Sequence, residues 1–228
     1  MPPHKTYVEP FAGGAAVLFA KEPSEREVLN DLDGDITFAH RFIKGCSEED
    51  FEWLKKQDWV SSRAQWERFR DADKGQGRER FHRWLYLRRF SYGGKGSGDM
   101  NYSAGGAGRK IAIDRLPHWK ERLANVILES GDYRKALAKH DGPDTLFYCD
   151  PPYPGTSWHN ELALNDTQAG QLVERLKILK GKVLLSFPLH LRHIIPNNWH
   201  IKRIKTRSSL AIGSSDKQRY ELLARKQA

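Results

Sequence analysis

Apolar and polar positions divide the chain into three stretches. The first opens on Thr6-Tyr7-Val8-Glu9, which reads as a short strand, and passes into the turn Pro10-Phe11-Ala12-Gly13-Gly14. A helix is predicted from near Ala15 through Phe19, then a strand over Glu27-Val28-Leu29 that ends in Asn30-Asp31. From Asp35 through Phe42 apolar residues recur at helical spacing. Strand, glycine turn, helix, strand and acidic residue form a Rossmann-like opening unit.

The second stretch runs from Ser47 to Ile111 and differs in character. Trp53, Trp59, Trp66 and Trp84 fall between Trp53 and Phe90, amid a surplus of Arg and Lys over Asp and Glu. Trp53, Trp59 and Trp66 are expected to be core residues of this stretch. Phe81 through Arg89 reads as helix with Phe81, Trp84 and Leu85 on one face. Glycine-rich loops then follow at Ser91–Gly98 and Ser103–Gly108, bearing or flanked by Lys95, Arg109 and Lys110.

The third stretch returns to alternating helix and strand. Asp114 is expected to cap a helix through Leu123, and Val126-Ile127-Leu128-Glu129 to form a strand ending at Gly131-Asp132. A short helix over Tyr133–Ala138 and a strand over Leu146–Cys149 follow. Thr167–Leu179 reads as a helix buried through Leu172 and Leu176, and Lys182–Phe187 as a strand. Two last strands are expected around Trp199–Ile201 and Arg219–Leu223.

At 228 residues the chain can fill one sizeable core, or one core with a modest satellite. No apolar run approaches the roughly 20 residues that cross a bilayer, and the N-terminus has no signal-peptide pattern. An intracellular, non-membrane protein is therefore expected, with a monomer as the default state. Cys46 and Cys149 are the only cysteines and lie far apart, which argues against a disulfide framework and a zinc site. His190 and His193 are closely spaced but lack a thiol or carboxylate partner, so no metal is expected. The formal charge of +9 favours a polyanionic partner.

Chemistry concentrates in four places. The Glu9–Gly14 turn lets backbone amides approach a ligand, though it lacks the phosphate-loop pattern. Asp31, at the end of the second strand, can accept from both hydroxyls of a ribose, or serve as a turn or cap. Gly131-Asp132-Tyr133 supplies another acid at a strand end, suited to an adenine amine or to capping the next helix. Asp150-Pro151-Pro152-Tyr153 leaves a buried strand as a stiff arm, because proline lacks a ladder donor and fixes φ. It presents a carboxylate, a free carbonyl and a flat ring, which suits gripping a planar group with an exocyclic amine.

In this order, Val8–Gly14, Asn30-Asp31, Gly131-Asp132-Tyr133 and Asp150-Pro151-Pro152-Tyr153 resemble the successive motifs of the Dam-like, D12-class DNA adenine-N6 methyltransferases. Lys180–Ser186 and Arg219–Leu223 resemble the late core strands of that family. The resemblance implies an α/β fold: a Rossmann-like S-adenosylmethionine-dependent methyltransferase sheet with an inserted, mostly helical DNA-recognition lobe. Residues 1–46 and 112–228 would form the catalytic core, and 47–111 the lobe.

The resemblance further implies an S-adenosylmethionine site from Glu9, Pro10, Phe11, Ala12, Gly13 and Gly14, with Asp31 at the ribose and Asp132 and Tyr133 near the adenine. Asp150 and the Pro151 carbonyl would accept from the target amine, with Pro152 stiffening the arm and Tyr153 stacked on a base flipped from double-stranded DNA. Trp158 and His159 are candidates for the pocket border. Arg83, Arg88, Arg89, Lys95 and Arg109 are the candidate DNA contacts, since they flank the flexible part of the insert. The family carries an upstream Pro-Gly-Gly-Lys-like segment at the methionine end of the cofactor, whereas only Met1–Lys5 precede the first strand here. That end of the site is expected to be completed differently or weakened. Cytosine N4 and adenine in RNA present the same amine chemistry, and a DNA-binding protein without turnover would carry the same fold.

Overall fold

A parallel strand covered on both faces needs apolar side chains at nearly every position. The runs Leu146-Phe147-Tyr148-Cys149 and Val183-Leu184-Leu185 meet that need and lie at the centre of the sheet. The computed structural model describes residues 1–91, 101–103, 111, 113–152, 163–206 and 219–226. The strands are β1 (Thr6–Glu9), β2 (Arg26–Asp31), β3 (Ile127–Ser130), β4 (Thr145–Cys149), β5 (Lys182–Pro188), β6 (His200–Thr206) and β7 (Arg219–Arg225). They form one seven-stranded sheet in the order β3-β2-β1-β4-β5-β7-β6. The first five are mutually parallel, and β7 runs antiparallel to β5 and β6. This is the Rossmann-like α/β sheet expected from the sequence.

The chain divides into two compact units, one of residues Met1–Thr37 and Asn125–Ala228, the other of Phe38–Ala124. The division falls within helix α2 (Gly34–Gly45). In the first unit, Val8, Val28, Phe147, Cys149, Val183, Leu185 and Phe187 share one sheet face. They pack with Leu137 of α7 (Tyr133–His140) and Leu172, Val173 and Leu176 of α8 (Asp166–Ile178). Strand alternation puts Tyr7, Glu9 and Glu27 on the opposite face, where α1 (Ala16–Ala20) brings the Leu18 amide to Glu9 at 2.9 Å. Helices therefore cover both faces.

Two local devices fix this layering. Asn165 and Gln168 form a reciprocal capping box, each side-chain oxygen accepting the other's backbone amide at 2.9 Å, which starts α8. Between α8 and β5, the Asp141 carboxylate accepts the amides of Lys180 and Gly181 at 3.0 and 2.9 Å. A Cβ on Gly181 would lie 2.9 Å from the Phe147 ring and 3.0 Å from the Thr145 carbonyl, so only glycine fits.

The second unit holds α3 (Glu48–Lys55), α4 (Arg63–Asp71), α5 (Gly77–Phe90) and α6 (Leu116–Leu123). Ser47 caps α3 in a box with Asp50, and Ser62 caps α4. Trp66, Tyr86, Leu87 and Phe90 form its core, with Trp59, Phe69, Tyr102 and Ile111 packed against them. The buried side of α5 carries Phe81, His82, Tyr86, Leu87 and Phe90, whereas Trp84 and Leu85 are only half-buried, unlike the face expected from the sequence. Asp114 lies in a 3₁₀ turn, Ile113–Arg115, and α6 starts on Leu116-Pro117 without a side-chain cap, which corrects the expected cap. Proline in the first turn brings no amide of its own, which leaves one fewer donor there to satisfy.

Candidate active site

Strand order reverses between β1 and β4: β2 and β3 build outward from one, β5 and the antiparallel pair from the other. In a doubly wound sheet such a reversal leaves a crevice beyond the carboxyl ends of the two strands. Glu9 ends β1 and Asp150 follows β4 at that edge. Asp31 and Asp132 occupy the corresponding ends of β2 and β3. All four acids thus stand at one edge of one sheet.

The turn after β1 is shaped by its neighbours. Ala12 donates its amide to the Asn30 carbonyl at 2.9 Å, and the Asn30 side-chain amide donates to the carbonyls of Pro10 and Gly131, both at 2.9 Å. Buried Asn30 therefore ties together the ends of β1, β2 and β3. Gly13 takes φ +47°, in the left-handed region, and has nothing within 4 Å of where a Cβ would stand. Its amide points at Asp31 Oδ2, 2.8 Å away, while Asp31 Oδ1 accepts the Asp33 amide at 2.8 Å. Ala15, also at positive φ, closes the turn by donating to the Ala12 carbonyl.

Beside it, the half-buried Phe11 ring packs on Tyr133, with ring centroids 4.9 Å apart. Asp132 accepts the Arg134 amide at 2.8 Å, capping α7, and its carboxylate is bracketed by the Arg134 guanidinium. That pairing holds the Asp132 carboxyl below the usual carboxylate range.

On the β4 side, Cys149 is fully buried and Asp150 is exposed. Pro151 is buried, and the Pro152 carbonyl accepts the Leu164 amide at 2.8 Å, fastening the arm. Burial, with Asp150 and Glu9 nearby, pushes the Cys149 thiol up, so it stays protonated. Glu9 is 2% exposed, and its Oε1 accepts the Tyr7 hydroxyl at 2.8 Å as well as the Leu18 amide. Its carboxyl is pushed up to about 7, chiefly by burial and further by Asp150. This buried pair was missed in the sequence, although Tyr7 and Glu9 at strand spacing on a covered face were its signal.

Tyr153, Trp158, His159, Lys95 and Arg109 lie outside the described residues. Arg83 donates through Nε to the Phe69 carbonyl at 2.5 Å and through Nη2 to the Arg70 carbonyl at 3.3 Å, at the C-terminal end of α4. Arg88 lies over the Trp84 ring, 5.3 Å from its centroid, and Arg89 is half-buried, both in the last turn of α5. His190 and His193 sit in one 3₁₀ turn, with a His193 ring nitrogen 3.0 Å from the His190 carbonyl. Among the described residues no three metal-ligating side chains converge, and no helix is long and apolar enough to cross a membrane.

The strand-end acids, the glycine turn and the Asp-Pro-Pro arm lie along the carboxyl edge of the sheet. A model of the D12 class N6 adenine-specific DNA methyltransferase family matches residues 1–193. The chain belongs to that family, and it is an S-adenosylmethionine-dependent DNA methyltransferase that acts on adenine N6.

Proposed function

We propose that the enzyme methylates an adenine turned out of double-stranded DNA into the crevice beyond β1 and β4, acting as a monomer inside the cell. The observation that carries this reading is Asp150: an exposed carboxylate held at the end of a buried strand, at the strand-order reversal, by a proline pair.

The turn fits the cofactor. The open space over Gly13 admits a ligand close to the backbone, and the left-handed φ there explains why glycine is used. Asp31, half-buried and already oriented by Gly13 and Asp33, keeps acceptor capacity for ribose hydroxyls. Phe11 and Tyr133 offer an apolar wall to the adenine, while Asp132 fixes the start of α7 from which Tyr133 projects. Bound there, S-adenosylmethionine supplies an electrophilic methyl group on a sulfonium.

Asp150 and the Pro151 carbonyl accept the two hydrogens of the target amine. An adenine amine is a poor nucleophile because its lone pair is delocalised into the ring. Two acceptors around its hydrogens favour a pyramidal nitrogen and aim the lone pair. As the nitrogen takes the methyl group, positive charge grows on it, and the Asp150 carboxylate stabilises that charge more than the neutral ground state. The surplus N–H proton then leaves by way of Asp150 to solvent. Tyr153 stacks on the extruded base, recovering part of the few kcal/mol that unstacking costs. Residues 47–111 act as the DNA-recognition lobe, with Arg88, Arg89, Lys95 and Arg109 on phosphates. Arg83 holds α4.

Nucleoside analysis of unmethylated duplex DNA incubated with enzyme and donor tests this reading. N6-methyladenine is expected. Product formed on single strands and absent from duplex would overturn the flipped-base reading.

A further inference from the structure

The sheet face opposite the α7 and α8 core carries charge where a covered face is ordinarily apolar. Tyr7, Glu9 and Glu27 share it, and all are buried. Lys21 meets Glu27 at 2.5 Å and lies 4.5 Å from the Tyr7 ring centroid. One ammonium therefore serves two carboxylates, and its direct partner is Glu27. Glu9 is held instead by neutral donors, the Tyr7 hydroxyl and the Leu18 amide, both on Oε1.

Across the strand-order reversal, Phe147 and Cys149 face the α8 core, so alternation turns Tyr148 and Asp150 toward the Glu9 face. The register pairs Val8 with Phe147, which sets Glu9 level with Tyr148 and makes Asp150 the next side chain along that face. The groups acting on this pair are Tyr7 on β1, Lys21 after α1, Glu27 on β2, and Tyr148 and Asp150 on the β4 side. Burial and Asp150 favour the neutral carboxyl, while Tyr7, Leu18 and Lys21 favour the anion. The balance lies in the neutral pH range.

We propose that Glu9 is a positioning residue that exchanges a proton with solvent as the cofactor changes charge: it releases the proton when the cationic methyl donor binds and regains it when the product, with its uncharged sulfur, is left. This rests on the cofactor lying against the Glu9–Gly14 turn. A sulfonium in the crevice favours the carboxylate, because a nearby opposite charge stabilises the ionised form. Methyl transfer converts the sulfonium to a thioether, and that favourable term disappears. In the binding step the Glu9 O–H bond breaks, the electron pair stays on the carboxylate, and the proton goes to buffer. Product formation reverses this, and nothing passes between the cofactor and Glu9. The enzyme thereby prefers donor over product increasingly as pH rises through the titration of Glu9.

Calorimetric titration of the whole protein with S-adenosylmethionine and with S-adenosylhomocysteine, in buffers of different ionisation enthalpy, counts the protons. Near neutral pH about half a proton should leave per donor bound, and clearly less per product. The affinity ratio of donor to product should rise several-fold between about pH 6 and 8. Glu9→Gln should abolish the release and flatten the ratio. Tyr7→Phe removes a donor that favours the anion, so the release should move to higher pH, a shift that a purely structural Glu9 would not produce. Equal proton counts for the two cofactors, or release that persists in Glu9→Gln, would overturn the proposal. Absence of binding by either cofactor at any pH would instead show that the placement of the cofactor is wrong, and the proposal would go with it.

Discussion

Asp31 Oδ2 accepts the Gly13 amide at 2.8 Å across 18 residues of chain, so the acid proposed for the ribose also shapes the glycine turn. Its other oxygen is oriented by the Asp33 amide. Asp31→Asn would turn an amino group toward one of these donors. Cofactor affinity should fall roughly 10- to 100-fold, the scale of one or two hydrogen bonds to a charged group. Calorimetry with S-adenosylhomocysteine measures this, and unchanged affinity would remove Asp31 from the site.

Gly181→Ala should destabilise the first unit by about 1–3 kcal/mol, as overpacking of a tight site does. The added Cβ meets the Thr145 and Gly142 carbonyls, at 3.0 and 3.2 Å, as well as a buried ring, and backbone cannot yield as a side chain can. The urea midpoint should fall at unchanged slope. An unaltered midpoint would mean that this joint is looser than its geometry.

His82 gives the second unit an acid limit. Its ring lies 4.5 Å from Trp59 and 5.0 Å from Phe69, centroid to centroid, and its Nε2 has no hydrogen-bond partner among the described residues. Burial lowers its pKa, while the hydrogen-bonded Asp58 backbone opposes the shift. The unfolded chain therefore takes up a proton first as pH falls below about 6.5, and stability declines from there until the folded-state pKa is passed. His82→Phe should flatten that decline in urea titrations at several pH values. A decline equally steep in the variant would assign the acid limit elsewhere.

Arg83 and Arg89 should separate by phenotype. Arg83→Ala strips the Phe69 and Arg70 carbonyls of a charged donor and should cost about 1–2 kcal/mol of stability. Arg89→Ala should leave stability nearly unchanged and reduce the salt dependence of DNA binding by about one phosphate contact. Thermal unfolding together with binding at several salt concentrations distinguishes them. Reversed phenotypes would refute the assignment.

The core was legible in the sequence because parallel strands buried on both faces leave apolar runs such as Leu146–Cys149, each followed by a short acid-bearing turn. The Asp-Pro-Pro arm and the Asn30-Asp31 corner were legible for the same reason: strand-end chemistry is local. The second unit was harder to read. Helices α3 and α4 start on Ser47 and Ser62, caps that also suit turns, and the buried face of α5 includes His82, which is polar by type and apolar in use. The Glu9–Tyr7 pair escaped because charge on a covered sheet face has no hydrophobic signature. Arg83 was legible only as a candidate DNA contact, because its partners are backbone carbonyls 13 and 14 residues away, which carry no side-chain signal.

Asp150 is proposed to drive methyl transfer without holding the cofactor. Single-turnover transfer to duplex DNA, measured alongside cofactor affinity in Asp150→Ala, tests it most directly. Transfer should fall at least about 100-fold, as loss of a transition-state charge partner does, while S-adenosylhomocysteine affinity stays within about threefold. Transfer at the wild-type rate, or loss explained wholly by weakened cofactor binding, would contradict it.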